Sequence, residues 1–338
     1  MSANYPKPED QIMQWITSKW ITKPIHVAVE LAIPDLLRDG PLSVDRLAEK
    51  TDTHASTLYR LLRALSAVGI FVERDGRIFG NTPFSKCLLS DAMAPLARMF
   101  LSDWHDKAWS ALEYSIKTGK SGFDHAFGKP SFEWIEQNPG ARKVLDRGQG
   151  FKAVGWSNAI MNGYDFSGIG SICDIGGGQG SFLIPILVTY PDLTGIVADM
   201  PGTVPAAEKS IIEAGVGNRC SAISFDFMKA APPACDGYFM VNVLHDWDDD
   251  ICHQILGNVS RSMGSDSKLW IVEYLLEPGP GFSVAKLLDI EMLVMGGGRE
   301  RTFDEYESLV GSAGLAVNKA VATDIGVVMV ECKLLDKS

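Results

Sequence analysis

No two of the six cysteines are spaced C-x-x-C, which sets aside a zinc knuckle, and their scatter from Cys87 to Cys332 sets aside a disulfide framework. They are expected to be reduced and mostly buried. No apolar run approaches the roughly 20 residues of a membrane span, and "MSANYPKPEDQ" carries neither the basic start nor the apolar stretch of a secretory signal. The expectation is a cytoplasmic protein with no membrane partner. Cations are scarce too: 31 Lys and Arg stand against 42 Asp and Glu, a formal charge of -11. Such a chain repels nucleic acid and anionic lipid, which favours a small neutral or cationic partner. Disorder is equally disfavoured, because 46% of the 338 residues are hydrophobic and 22% charged, enough for two domains.

What is present begins with helices. In "MQWITSKWITKPIHVAVELAIPDLLRDG" the residues Trp15, Ile16, Trp20, Ile21, Val27, Val29 and Leu31 fall at broadly helical spacing, with breaks expected at Pro24 and Pro34. "PLSVDRLAEKTDTHASTLYRLLRALSAVGIF" then reads as a helix capped by Ser43, a polar turn, and a longer helix striped by Leu58, Leu61, Leu62, Leu65 and Val68. Two short strands around Asp75-Gly76 in "GIFVERDGRIFGNTP" add a hairpin, and together these make a winged helix. A winged helix serves either a DNA-binding regulator or a packing and dimerisation module. Arg60, Arg63, Arg74 and Arg77 are too few for a phosphate-binding face. The tryptophan-rich helices ahead of the module would leave apolar faces uncovered in a lone domain, so self-association without nucleic acid is expected.

From about residue 170 strand and helix alternate, as an open parallel sheet requires. Seven strands are expected, in "SICDI", "LTGIVADM", "CSAISFDF", "DGYFMVNVL", "SKLWIVEYLL", "AVNKAVATD" and "GVVMVECK". The link between the last two is too short for a crossover helix, so the final strand should run antiparallel to its neighbours. The stretch between the winged helix and the sheet is rich in aromatic residues, Phe100, Trp104 and Phe151 among them, and reads as bridging helices whose rings line a pocket or fill a core.

The first strand runs into "SICDIGGGQGSF". A dinucleotide fingerprint would place a third glycine at position 181, where this chain has Ser181. The spacing is instead D-x-G-x-G-x-G, through Asp174, Gly176, Gly178 and Gly180. An acid at the strand end suits a ligand with a cationic amino acid end and no pyrophosphate, and S-adenosylmethionine has those properties. Glycine turns also arise for purely steric reasons. Two more strand ends sharpen the reading: Asp199, followed by Met200, is placed for ribose hydroxyls, and Asp226 for the adenine amino group, with Phe227 as an apolar face.

The fourth strand delivers "VNVLHDWDDD". Asp248, Asp249 and Asp250 cap and charge the following helix. His245 at the carboxyl end of a central strand, with Trp247 near it, is well placed as a base near neutral pH. A metal site is the alternative use of the acids around it, but one His without a second ligand at tidy spacing argues for none.

Taken together, the Asp174 to Gly180 run, Asp199, Asp226, "LHDWDD", Glu273 in "IVEYLL" and "GGGRERTFDEYESLVGSAGL" resemble the cation-independent small-molecule O-methyltransferases, the family of caffeate-type, hydroxyindole, polyketide and phenazine methyltransferases. The resemblance covers nearly the whole chain. It implies an α/β Rossmann-like methyltransferase sheet behind an N-terminal winged-helix dimerisation domain. The domains would be residues 1–92 for dimerisation and 93–338 for catalysis, with bridging helices at 93–165 and the core at 166–338. It further implies S-adenosylmethionine as cofactor, a homodimer, and a hydroxyl of an aromatic metabolite as acceptor. The family's base falls on His245, and its orienting glutamates fall on Glu273 and Glu300. A phenol has a pKa of about 10, so its proton must leave as attack begins. Phe100, Trp104, Phe151, Met161, Met292 and Met295 are the candidate pocket walls. Two positions depart from many relatives: Val241, where a Lys or Arg is common, and Phe225, where Gly is common. The rivals are an N-methyltransferase, a hydroxylase or decarboxylase on the same scaffold, and a winged-helix regulator.

Overall fold

The computed structural model describes residues 7–335, which divide into two compact units between Asp106 and Lys107. The first unit opens with α1 (Pro8–Ile16), α2 (Lys19–Glu30) and α3 (Ile33–Leu36), followed by strand β1 (Leu42–Ser43). Then come α4 (Val44–Thr51), α5 (Ala55–Ala67), the hairpin β2 (Phe71–Arg74) and β3 (Ile78–Asn81), α6 (Pro83–Lys86) and α7 (Ala94–Phe100), while α8 (Asp103–Trp109) runs across the division. Ser43 Oγ accepts the Arg46 amide at 3.3 Å and starts α4 as its cap. Leu58, Leu62 and Leu65 of α5 are buried against Leu47, Phe71 and Phe79, and β3 lies between β1 and β2 to form the wing. Arg63 and Arg77 lie over the Tyr59 ring, at 5.4 and 4.5 Å from its centroid, so two of the four wing arginines are tied to local packing.

Three expectations change. Pro24 lies inside α2, and the chain breaks at Thr17 and Ser18 instead. Only one amide bond is lost, the one to Trp20, and Trp20 is among the most exposed side chains, so water can reach that turn. Val68 is exposed at the C-cap of α5 rather than part of its apolar stripe. Residues 93–106 belong with the first unit: Arg98 bonds the Val29 carbonyl at 2.7 Å and Glu30 at 3.2 Å, and Lys23 bonds the Leu101 carbonyl at 2.9 Å and Asp106 at 2.6 Å.

The second unit begins with α9 (Leu112–Thr118), α10 (Gly122–Phe127), α11 (Ser131–Glu136) and the long α12 (Pro139–Met161). Strands β4 (Ser171–Ile175), β5 (Thr194–Asp199), β6 (Cys220–Ser224) and β7 (Gly237–Val241) follow, with α13 (Leu183–Thr189) and α14 (Val204–Glu213) between them. Next are α15 (Asp249–Ser260), β8 (Lys268–Tyr274), α16 (Val284–Met295), α17 (Phe303–Ser312), β9 (Leu315–Ala322) and β10 (Val327–Leu334). These seven strands form one sheet in the order β6-β5-β4-β7-β8-β10-β9, and β10 runs antiparallel to both neighbours as expected. Helices cover both faces: Leu256 and Leu309 pack on one side, Trp156, Ile160, Leu183 and Ile186 on the other. Burial on two faces explains why the central strands read as unbroken apolar runs. Winding reverses between β4 and β7, and a ligand cleft opens at the carboxyl ends of strands at such a switch point.

Gly237 starts β7 where a Cβ would fall on the fully buried Trp270 indole, whereas Gly257 in α15 has open space around it. Gly237→Ala should lower stability by about 1–3 kcal/mol and Gly257→Ala should raise it by about 0.5–1 kcal/mol. Thermal denaturation of the two variants checks both signs.

Candidate active site

At the end of β4 the chain turns through Gly176 and Gly178, both in the left-handed region at φ +69° and +58°. A Cβ on Gly176 would strike Val243, while one on Gly178 would stand in open space, so this turn leaves the cleft free of side chains. Asp199 at the end of β5 pins the turn: Oδ2 accepts the Gly178 amide at 2.8 Å, and Oδ1 accepts the Met200 amide at 2.7 Å and Thr203 Oγ1 at 2.9 Å. Arg142 of α12 donates to the same threonine and to Asp146. The cleft measures about 520 Å³. Aromatic rings wall it, with Phe132 of α11 stacked on Trp247 at 5.9 Å and Phe227 edge-on to Trp247 at 6.4 Å.

Asp174 lies on the cleft wall, yet it has no exposed surface, and neither carboxylate oxygen has a partner within the protein. Burial, with the charge of Asp199 adding to it, pushes its pKa up to about 7. A buried carboxylate without partners is costly. A cationic ligand group beside it would keep the carboxylate ionised and remove that cost.

Strand β7 is broken by Asn242, which takes the left-handed conformation at φ +53° that asparagine tolerates better than most residues. The chain then coils into a short turn, Leu244–Asp246, that carries His245 into the protein with only 4% of its surface exposed. His245 Nδ1–H donates to Glu300 Oε1 at 2.8 Å, and Glu273 Oε2 lies 3.4 Å from the same nitrogen. Glu273 Oε1 accepts the amides of Val243 and His245 at 3.2 and 3.4 Å, so one carboxylate holds both the ring's environment and its backbone. Nε2, on the far side of the ring, lies 3.8 Å from Asp246 Oδ1. Burial works against the imidazolium, but the charges of Glu273 and Asp246 and the Glu300 bond outweigh it and push the pKa of His245 up to about 9. Burial raises the carboxyls of Glu273 and Asp246.

Arg301, 1% exposed, closes the turn from behind. Its guanidinium donates to the carbonyls of Leu244 at 2.9 Å and Trp247 at 2.8 Å, and to Asp249 Oδ1 at 2.7 and 2.9 Å. Gly298 has no room for a Cβ against the His245 carbonyl, which accepts the Arg299 amide at 2.9 Å.

An O-methyltransferase domain matches residues 109–316, and an O-methyltransferase dimerisation domain matches residues 13–91. The chain belongs to the O-methyltransferase family. It is 37% identical to phenazine O-methyltransferase PhzM of Lysobacter antibioticus over 95% of each chain. It superposes on a crystal structure of LaPhzM with a TM-score of 0.93, at 36% identity over 97% and 99% of the two chains. The O-methyltransferase NcsB1 from neocarzinostatin biosynthesis, solved with S-adenosylmethionine and 2-hydroxy-5-methyl naphthoic acid, gives a TM-score of 0.79 at 29% identity over 93% and 96% of the two chains. This methyltransferase depends on S-adenosylmethionine.

In the methyltransferase, Asp174, Gly176, Gly178, Asp199, Met200, Asp226, Phe227 and Trp247 all line this cleft, while His245, Glu273 and Glu300 come within 4.8 Å of one another and do not line it, although Asp246 beside His245 does. Gly180 does not line it: its Cβ position lies 3.1 Å from Ile184 and Val197, so this glycine lets α13 sit close to the sheet. None of the six proposed wall residues lines the cleft. Met161 packs into the core under α12, Met292 and Met295 lie half-buried on α16, Phe151 is partly exposed on α12, and Phe100 and Trp104 belong to the first unit. Spacing along a helix cannot say which of two faces a methionine serves. Of the two departures, Val241 lines the cleft and Phe225 is buried in the core. Phe132, one of the aromatic residues of the bridging stretch expected to line a pocket or fill a core, lines the cleft. Arg142, Asn242 and Arg301 escaped the sequence reading; of these only Asn242, an asparagine ending an apolar strand, and Arg301, inside the quoted "GGGRERT", carried a local signal.

The Arg301 clamp uses three nitrogens in a fixed fork, which lysine cannot reproduce. Arg301→Lys should lower stability by about 1–3 kcal/mol and reduce kcat while leaving affinity for S-adenosylhomocysteine near the wild-type value. Calorimetry and steady-state rates together check this.

Proposed function

We propose that the methyl acceptor is a hydroxyl of an aromatic metabolite and that His245 removes its proton. The observation that carries this reading is the buried imidazole whose Nδ1 is committed to Glu300 at 2.8 Å, so that in the neutral ring Nε2 is the nitrogen that takes a proton. Glu300 sets the tautomer, as the acid of a catalytic triad does, and Glu273 stabilises the charge that the ring gains. His245, Glu273 and Glu300 lie close enough to hold an ion, within 4.8 Å of one another, but the shared nitrogen already carries a proton to Glu300, which favours a base over a metal centre. The crystal structure of NcsB1 with a hydroxynaphthoic acid and the PhzM relative support an aromatic acceptor.

The cleft fits S-adenosylmethionine. Asp174 offers two unpartnered oxygens to its ammonium, the Gly176–Gly178 turn leaves room for its tail, Asp199 retains lone pairs for the ribose, and Asp226, Phe227, Met200 and Trp247 surround the purine. When bound, the cofactor supplies an electrophilic methyl group on a sulfonium. The protein's own part is to exclude water, orient the acceptor hydroxyl, and take its proton at Nε2. A dry, enclosed site favours a reaction in which opposite charges cancel.

The dimerisation domain acts, in this reading, through α1 and α2. Trp15, Ile16 and Trp20 stand exposed there, a face that a second copy of the chain would cover. No helix among the described residues is long and apolar enough to cross a membrane. Light scattering should give a dimer, and Trp20→Glu should turn it into a monomer; a wild-type monomer overturns this part of the reading.

The base is tested by mass spectrometry of phenols, naphthols, phenazines and aromatic polyketides incubated with the enzyme and S-adenosylmethionine. His245→Ala should cost on the order of 10²-fold in rate. Less than tenfold would point to a nucleophilic nitrogen as acceptor and against the base. Because His245 must be neutral to act, kcat/KM should climb with pH toward about 9. Glu300→Gln removes one of the charges that hold the proton on the ring, so it should move that climb to lower pH by about 1 unit or more.

A further inference from the structure

Helix α11 turns one face to the cleft, where Phe132, Ile135 and Glu136, at positions i, i+3 and i+4, all line it. Phe132 stacks on Trp247 and Ile135 is buried, which fixes the helix there. Glu136 then reaches the wall formed by the end of β5. Its Oε1 lies 2.9 Å from the point where a Cβ on Gly202 would stand, in the turn that follows Asp199, Met200 and Pro201. The cleft carries other acids, and most have partners. Glu133 accepts from Gln137 at 3.1 Å, Asp146 pairs with Arg142 at 2.8 Å, Asp226 pairs with Lys229 at 2.8 Å, and Asp246 lies beside His245. Among the described residues Glu136 makes no hydrogen bond or ion pair, a condition that only Asp174 shares among the carboxylates of the cleft. Asp174 is sealed under the glycine turn, with Oδ2 2.7 Å from the Cβ position of Gly177, whereas Glu136 stands exposed on the rim.

Asp199 has little left to give a ribose. A carboxylate offers about four acceptor sites, and the Gly178 amide, the Met200 amide and Thr203 Oγ1 already occupy Asp199. A ribose brings two hydroxyls, and each needs an acceptor once the cleft has displaced its water. We propose that Glu136 binds the cofactor, accepting one ribose hydroxyl while Asp199 accepts the other. The ribose is then held between α11 and the end of β5, and the helix that stacks Phe132 on Trp247 also grips the sugar. This role is independent of the base at His245.

The test uses the full-length enzyme, calorimetry and three ligands: S-adenosylhomocysteine and its 2′-deoxy and 3′-deoxy ribose analogues. S-adenosylhomocysteine has no net charge at neutral pH, so weaker binding of it does not reflect a general loss of attraction between charges. Glu136→Ala should bind it about tenfold more weakly than the wild type, the size of one hydrogen bond to a charged group. With at least one deoxy analogue that loss should disappear, because the hydroxyl held by Glu136 is already missing. Glu136→Gln keeps an accepting oxygen and should recover part of the affinity. Glu136 is exposed and unpartnered, so without ligand Glu136→Ala should melt at the wild-type temperature. The proposal is overturned if Glu136→Ala binds S-adenosylhomocysteine as the wild type does, or if it weakens all three ligands equally.

Discussion

One buried imidazole among carboxylates sets the terms for the rest of this protein. His245 is surrounded by Glu273 and Glu300, both drawn from water by the fold, and by Asp246, which is partly exposed at the cleft. Like charges this close cannot all ionise without a shared proton, and the ring is the natural place for it. That arrangement makes a stronger base than a solvent-exposed histidine, at the cost of being protonated more of the time near neutral pH. The scaffold must therefore hold the four groups rigidly. Arg301 from behind, the Glu273 carboxylate on the backbone, and the absence of a side chain at Gly298 do so together.

The cofactor cleft shows the same logic in a simpler form. Asp174 is held without partners at the end of β4; the apolar strands around it make that costly, and the burial of those strands offsets the cost. Asp199 is spent first on the protein, pinning the glycine turn and the residues that follow β5. Preorganisation of this kind moves ordering costs from the binding step to the folding step. The cleft and the base belong to one edge because all parallel strands end there and the winding reverses between β4 and β7.

Much of this was legible along the chain because it is local. A strand followed by D-x-G-x-G, acids closing successive strands, a histidine after the fourth strand and a short link before the last one are short-range patterns with direct backbone consequences. The structure places them where those patterns imply. Gly180 misled because a glycine needed for close packing and one needed for a ligand look alike in sequence. Met161 misled because helical spacing does not tell the cleft side from the core side. Pro24 misled because a single lost amide bond near an exposed turn is too small a loss to end a helix that tertiary packing supports.

By itself, the sequence determined the class of sheet, the strand ends that line the cleft, the antiparallel last strand and a histidine just past the fourth strand, since each follows from chemistry within a few neighbouring positions. Only the tertiary structure decided which helix faces complete the site. Phe132 and Arg142 come to the cleft from α11 and α12, and Arg301 reaches His245's turn from more than fifty residues away in sequence. Those placements depend on how whole elements pack, and packing energy is summed over many distant contacts that no short stretch of the chain contains.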